Sequence, residues 1–541
     1  MRTPDHPFRA AARALAPGSG LLAALLLAGP LPEAEAAERK FVIAFQGDAA
    51  TLDAQGRNET TTISIQAHMF DYLVFPAVQG GHEPGLALSW KPVSETKWLI
   101  RLRQGVRFHD GAPFTAEAAK EALLRAQGKN FPRSQMKHFT KGIRDIRVVD
   151  DATLEIETGQ PWPTLHEDLA NIAMVPVHYI QKAGDAAFAR KPVGTGAYKF
   201  VEWVKDDHID LEANPNHWKG APAVKSVRIR PVPVDAARTA GLIAGEIDVV
   251  WGISPVDAKP LEQNPNVRIY RTITQRNMYL AFDHWRKEGG PFRKDGPHTP
   301  GIPQGAPNPF LNLKVRQAVA HAINVPELIQ IVLHGSGEPA TQLAPPQAFG
   351  YNKRLGRLPF DPGRSKRLLA EAGFPNGFKM RLDCTNDRYI NDGPMCEAIT
   401  GMLAKVGIQA TPHPRTKAVY FTAMDNGDFT IYQAGWGTDT AGPTFSAVFH
   451  TQDHEKGMGR INRGRYSNKE LDALIAKASA EMDDAKRQAL WERAWEIAIG
   501  ELSVLPLYQQ EAIIAAQKNV QLKPRFNEWI LAQEITLTGR N

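Results

Sequence analysis

One stretch of this chain is apolar enough to engage a membrane, and it is too short to cross one. Leu21 to Gly29 (LLAALLLAG) follows a basic start carrying Arg2, Arg9 and Arg13, and precedes the small-residue stretch Ala34-Glu35-Ala36. A basic head, a short apolar middle and an A-x-A end are the parts of an export leader, whereas a spanning helix needs about 20 apolar residues. Cleavage is expected after Ala36, which makes 1–36 a signal peptide; a retained anchor is the competing reading. No later apolar run reaches spanning length, so the mature chain, 37–541, is expected to be soluble, periplasmic and free of membrane spans. It has to close its own cores in water.

It is too long for a single core, and two or three domains are expected. The formal charge of +6 is left whole by removal of the leader, in which Asp5, Glu33 and Glu35 balance the three arginines. Spread over the mature chain it forms no Lys/Arg cluster, and with export it argues against a nucleic-acid partner.

Strand-like and helix-like segments alternate without low-complexity linkers, which reads as an α/β fold with intertwined domains. Phe41 to Phe45 (FVIAF) is a short apolar strand. Trp98, Ile100 and Leu102 alternate with Leu99, Arg101 and Arg103, as in a strand buried on one face. Thr115 is placed to cap a helix over Ala116 to Leu124, and Asp207 to Leu211 and Val227 to Arg230 read as further strands. Leu313 to Ile323 has Val315, Ala318, Val319, Ala322 and Ile323 at helical spacing, with Lys314, Arg316 and Gln317 off that face. Leu471 to Ala480 and Arg487 to Leu502 read as amphipathic helices, the second striped by Trp491, Trp495 and Ile499 as core.

Several chemistries lack their motifs. There is no Gly-x4-Gly-Lys-Ser/Thr loop, no His-Glu-x-x-His and no Gly-x-Ser-x-Gly. Gly194-Thr195-Gly196 lacks the third glycine of a dinucleotide fingerprint. His450 and His454 flank Asp453 at metal-ligand spacing, but no further ligand is near, so a solvated loop is expected. No enzyme, metal or cofactor is expected on these grounds, although dispersed catalytic residues would leave no such trace.

Residues 98–117 read WLIRLRQGVRFHDGAPFTAE. This closely resembles the signature of the family 5 extracellular solute-binding proteins, the receptors of peptide, nickel and opine ABC importers. Further matches follow in the family's order: Thr51-Leu52-Asp53, Pro192 to Tyr198 (PVGTGAY), Val315 to Val319 with Ala322-Ile323, Leu368 to Phe374 (LLAEAGF), Gly435 to Asp439 (GWGTD) and Tyr466-Ser467-Asn468. The resemblance implies a two-lobed periplasmic-binding-protein-like fold (type II, cluster C), with lobe I over 37–282, lobe II over 283–504 and a return to lobe I over 505–541. Asn277 to Phe282 would cross outward and Val504 to Tyr508 back. An extra subdomain at about 75–190 would sit on lobe I, with Phe108-His109-Asp110-Gly111 inside it as a turn rather than a ligand contact. It further implies a monomer that captures a small solute by lobe closure and delivers it to an ABC permease and its ATPase.

Asp439 is the first candidate ligand group, because peptide-binding relatives place an aspartate of the Gly-Trp-x-x-Asp stretch on the ligand's ammonium; a turn aspartate is the alternative. Trp436 and Thr438 flank it, and Trp436 reads equally as core. The text after Asp439, Thr440-Ala441-Gly442-Pro443-Thr444, departs from the Asp-Pro-rich text of peptide receptors and leaves peptide specificity open. Arg388 offers a planar fork suited to carboxylate or phosphate, with Tyr389 and Asn391 beside it; ion pairs to Asp387 or Asp392 are the alternative. Gly194, Thr195 and Gly196 are candidates to offer backbone N–H groups, with a plain turn as the other reading. Together these residues suggest a zwitterionic solute: a peptide, an opine or an amino-acid conjugate. A nickel-type metal chelate is the alternative ligand, and a divergent exported enzyme or chaperone the alternative class.

Cys384 and Cys396 are the only cysteines. In an oxidising compartment two cysteines without neighbouring histidines favour a disulfide over thiols or a metal. That bridge would brace the loop carrying Arg388, Tyr389 and Asn391.

Overall fold

A computed structural model describes residues 39–539; the expected leader and its cleavage point lie outside them. Residues 40–539 fall within one compact unit. They are organised by a large mixed sheet whose path runs Ile408–Arg415, Phe378–Thr385, Ile431–Gly437, Val267–Phe282, Val504–Gln517, Val249–Trp251, Phe41–Phe45, Ser226–Pro231, His208–Ala213 and Tyr198–Val204. Phe41–Phe45 is buried along its whole length and pairs in parallel with strands on both sides. A strand covered on both faces can be apolar throughout, which is why its sequence does not alternate.

Two long strands tie the halves of this sheet together. The crossing strand Val267–Phe282 and the returning strand Val504–Gln517 pair antiparallel along most of their lengths. Both are longer than the segments picked out by sequence, because their outer ends lie in one lobe and their inner ends in the other. The ladder is interrupted between Ile273 and Asn277, between a stretch that packs on one set of cores through Ile269 and Tyr270 and a stretch that packs on another through Met278 and Tyr279. There the guanidinium of Arg276 donates to Glu528 through Nε at 3.2 Å and Nη2 at 2.7 Å. Both partners are buried, and Glu528 has φ 68°.

On the first lobe, one core takes in Ile43, Phe45, Val227 and Ile229 together with Trp98, Ile100, Leu154 and Ile156 of a separate antiparallel sheet, Ala87–Ser94, Lys97–Leu102, Thr153–Thr158 and Ile143–Asp150. The alternation of Trp98, Ile100 and Leu102 is as expected, with all three buried. Thr115 caps the helix Ala116–Ala126 by accepting from the Ala118 N–H. The second lobe has two cores, one on each face of its part of the sheet, the first containing Val315, Val319 and Cys384, the second Phe445, Trp491 and Trp495. Arg316 departs from the sequence reading. It is buried in the helix Leu313–Ala322, because its guanidinium satisfies the carbonyls of Phe310 at 2.6 Å and Glu501 at 2.8 Å. Among the described residues, no helix is long and apolar enough to cross a membrane.

Candidate functional site

Phe378–Thr385 and Ile431–Gly437 run parallel as neighbours, so their carboxyl ends open on the same side of the sheet. Open α/β sheets bind ligands at such ends. Asp439 follows one of these strands and Arg388 the other.

Beyond Gly437 the chain turns through Thr438. Its hydroxyl donates to the Thr440 carbonyl at 2.6 Å, and its oxygen accepts from the Thr440 N–H at 3.2 Å. Thr438 is thereby committed to shaping the turn, and the turn leaves the Asp439 side chain 28% exposed. Its nearest counter-group is His82 of the first lobe, with Nε2 3.6 Å from the carboxylate. Two more carboxylates come from the first lobe's helix Leu165–Leu169. Glu167 accepts from the Thr440 hydroxyl at 3.0 Å, and Asp168 accepts from Trp162 Nε1 at 3.0 Å. Burial, reinforced by the negative charge of Asp439 and Asp168, pushes the Glu167 carboxyl up to about 8. Asp168 is raised to about 7, by burial first and by Asp439 as well. Asp439 is itself raised by burial, with His82 opposing. Among the described residues, no lysine or arginine forms an ion pair with any of the three. A cation from outside would meet three acceptors here.

Trp436 lies beside this group, donating from Nε1 to the Thr444 hydroxyl at 2.9 Å and packing against the second lobe's core, with Arg460 5.8 Å from its ring centre. Its indole N–H is therefore already used.

The Arg388 loop is tightly held. Asp392 accepts from the Thr385 hydroxyl at 2.6 Å and from the N–H groups of Arg388 and Tyr389 at 3.1 and 3.0 Å. A disulfide joins Cys384, on the strand, to Cys396, on the helix Asp392–Ala404, as the sequence led one to expect. The Tyr389 hydroxyl accepts from the Gly435 N–H at 3.0 Å, tying this loop to the strand that leads to Asp439. Asn391 adopts φ 50° and spends its side-chain amide on the Val332 carbonyl. The alternative partners for Arg388 are otherwise occupied: Asp387 accepts from the Lys417 N–H, and Asp392 serves backbone groups. The Arg388 guanidinium is exposed and stacks over Tyr389 at 5.1 Å. It has no ion-pair partner within the described residues, yet its charge reaches Glu59 and Glu528 and helps lower both.

Of the two readings of Gly194, Thr195 and Gly196, backbone donors to a ligand or a plain turn, the geometry here is that of the turn. All three are buried. The Gly196 N–H donates to the Met69 carbonyl at 2.9 Å and the Gly194 N–H to His109 Nδ1 at 3.3 Å. His109 in turn bonds the Gly196 carbonyl through Nε2 at 2.9 Å. A Cβ on Gly194 would stand 2.0 Å from the Met69 carbonyl oxygen, so the glycines serve close backbone packing. The Phe108–Gly111 stretch is the turn that aims His109 at them, with Gly111 at φ 91°.

Sequence reading missed His82, Glu167 and Asp168, which lie far from Asp439 along the chain and carry no motif. It also missed a histidine–carboxylate group, Glu202, His208 and Asp210, whose oxygens and nitrogen converge within 4.8 Å. Asp210 is already held there by Arg228 at 2.7 Å and by Lys40, so that group is neutralised without a metal.

Comparison with known proteins gives one family model: bacterial extracellular solute-binding proteins, family 5 Middle, matched over residues 82–457. The glutathione-binding protein GsiB of Escherichia coli (strain K12) is 27% identical over 515 residues, covering 93% of this chain and 95% of that protein. Among solved structures, the ABC transporter-associated periplasmic binding protein DppA from Helicobacter pylori, in complex with peptide STSA, aligns with TM-score 0.75 at 24% identity over 93% of this chain and 98% of that one. The binding protein AgaA with agropinic acid, from A. tumefacien R10, aligns with TM-score 0.73 at 23% identity over 93% and 99%.

Proposed function

Because this chain belongs to family 5 of the bacterial extracellular solute-binding proteins, the receptors of ABC importers, we propose that its two lobes close on a small solute with a cationic end held at Asp439. The observation that carries this reading is the set of three carboxylates, Asp439, Glu167 and Asp168, gathered from both lobes without a lysine or arginine to pair them. Arg388, beyond the carboxyl end of the neighbouring strand and without an ion-pair partner among the described residues, supplies the complementary group for an anionic end. A peptide, an opine or an amino-acid conjugate has both. Trp436 is the adjoining apolar wall, and Tyr389 fixes the spacing between the two strand ends. Thr438 and Asn391 act through the turns they hold.

Closure is favourable only as far as the ligand binds the closed form better than the open one, because only the closed form presents groups from both lobes. The mature receptor would work in the periplasm after cleavage at Ala36, handing its solute to a permease driven by a separate ATPase. Native mass spectrometry of freshly purified protein weighs the co-purified solute, and calorimetry then measures its affinity. Asp439→Asn is expected to weaken binding by a hundredfold or more, about 2.7 kcal/mol. Undiminished affinity in that variant would remove Asp439 from the site.

A further inference from the structure

The contact between the lobes holds more negative charge than its cations balance. Glu167 and Asp168 sit on the first lobe's helix and Asp439 on the second lobe's turn, and the hydroxyl of Thr440 reaches across to Glu167. The charged groups facing them are few and otherwise engaged. Arg487 donates to Asp484 at 2.6 Å and to the Glu481 carbonyl at 2.8 Å. Lys141 donates to the Lys456 carbonyl at 2.6 Å, a second bond from lobe to lobe. His82 approaches only Asp439, and its ring packs edge-on to His166 at 5.7 Å. Burial lowers both histidines, His82 against the opposing charge of Asp439 and His166 to about 4, so His166 supplies no positive charge near neutral pH.

We propose that closure of the lobes without ligand takes up protons on Glu167 and Asp168, and that a cationic ligand replaces those protons, so that pH sets the resting position of the empty receptor. The inference rests on reading this interlobe contact as the ligand site. Separating the lobes would take Asp439 and the Thr440 hydroxyl away from the two side chains, and in water they titrate near the ordinary values of about 4.3 and 3.9. With the lobes in contact, as in this structure, burial beside Asp439 lifts them to about 8 and about 7. The closed form therefore binds more protons between these limits, and acidification favours it. Raising the pH from 6 to 9 shifts the closed-to-open ratio against closure about a hundredfold through Glu167 and about tenfold more through Asp168. A bound cation meets the carboxylates ionised, so its binding releases protons and strengthens as the pH rises toward 8.

The test needs no ligand. Small-angle X-ray scattering of the mature protein, dialysed free of solute, is recorded from pH 5 to 9 with circular dichroism to establish that the fold is intact. The expected result is a compact form at low pH that expands as the pH rises from 6 to 8, and a Glu167→Gln/Asp168→Asn variant that stays compact throughout. A radius of gyration independent of pH in the parent, or the same expansion in the double variant, would overturn the proposal. Should the double variant fail to fold, Asp168→Asn alone is expected to remove the lower part of the transition, and an unchanged curve refutes the proposal equally. Loss of Asp439 from the ligand site is read separately, by calorimetry, and leaves the scattering result standing on its own.

Discussion

Glu528→Gln is expected to loosen the chain at the point where it passes between lobes. Arg276 and Glu528 are 8% and 4% exposed, and their paired bonds lie where the crossing strand's ladder is interrupted. Burial alone would raise the Glu528 carboxyl, but Arg276 outweighs it, and the carboxyl lies below its ordinary value. Removing one partner of a buried ion pair costs about 3–5 kcal/mol, because the other charge stays behind unpaired. Glutamine keeps one acceptor for the guanidinium, so the low end, about 3 kcal/mol, is expected. With a urea dependence of about 3 kcal/mol per molar, the midpoint followed by tryptophan fluorescence should fall by about 1 M. Replacing both residues, Arg276→Gln with Glu528→Gln, should recover at least half of that loss, since no charge is then stranded. A single variant within about 0.5 kcal/mol of the parent, or a double variant as unstable as the sum of both single changes, would refute the reasoning.

Other outcomes follow from the same geometry. Replacing both cysteines with alanine should lower the stability of the second lobe by about 3 kcal/mol for a loop of this length, read by urea unfolding, while in the parent protein thiol counts in denaturant should rise by two only after reduction. Tyr389→Phe leaves the Gly435 N–H without its partner and should cost about 1–2 kcal/mol in the same assay. Gly194→Ala should abolish soluble expression or lower the melting temperature markedly, since its Cβ meets the Met69 carbonyl; normal melting would show that this approach is not required. His68 is fully buried and accepts the Ala532 N–H at Nε2, and burial lowers its pKa to about 4. The unfolded chain therefore takes its proton first, and as pH falls from 6.5 to 4 this residue removes up to about 3 kcal/mol of stability. Nitrogen-resolved NMR should show a neutral ring down to about pH 4, and titration near 6.5 would contradict it.

What could be read from the chain without its structure was whatever local sequence controls. The period-two burial of Lys97–Leu102, the Thr115 cap and the Trp491–Trp495 stripe each depend on near neighbours, and each is found as the pattern implies. The disulfide followed from compartment and count. Arg316 was misread because helical spacing sees only polarity, whereas a guanidinium can be buried wherever carbonyls await it. Gly194 to Gly196 kept two readings because a pair of glycines looks the same whether it approaches a ligand or another backbone. Glu167 and Asp168 could not have been found, since what distinguishes them is the presence of Asp439 across a contact far away in sequence.

The two long strands through the middle of the sheet carry a consequence for biogenesis. Val504–Gln517 lies between Val267–Phe282 and Val249–Trp251 in the finished order, so the first lobe lacks an interior strand until almost the entire polypeptide has emerged. Its early strands are left with an open edge and no partner of high enough local concentration, and their pairing waits on contacts of very large sequence separation. A nascent chain built this way cannot lock its amino-terminal half prematurely. Its fold is completed only when Val504–Gln517 arrives to fill the place between Val267–Phe282 and Val249–Trp251.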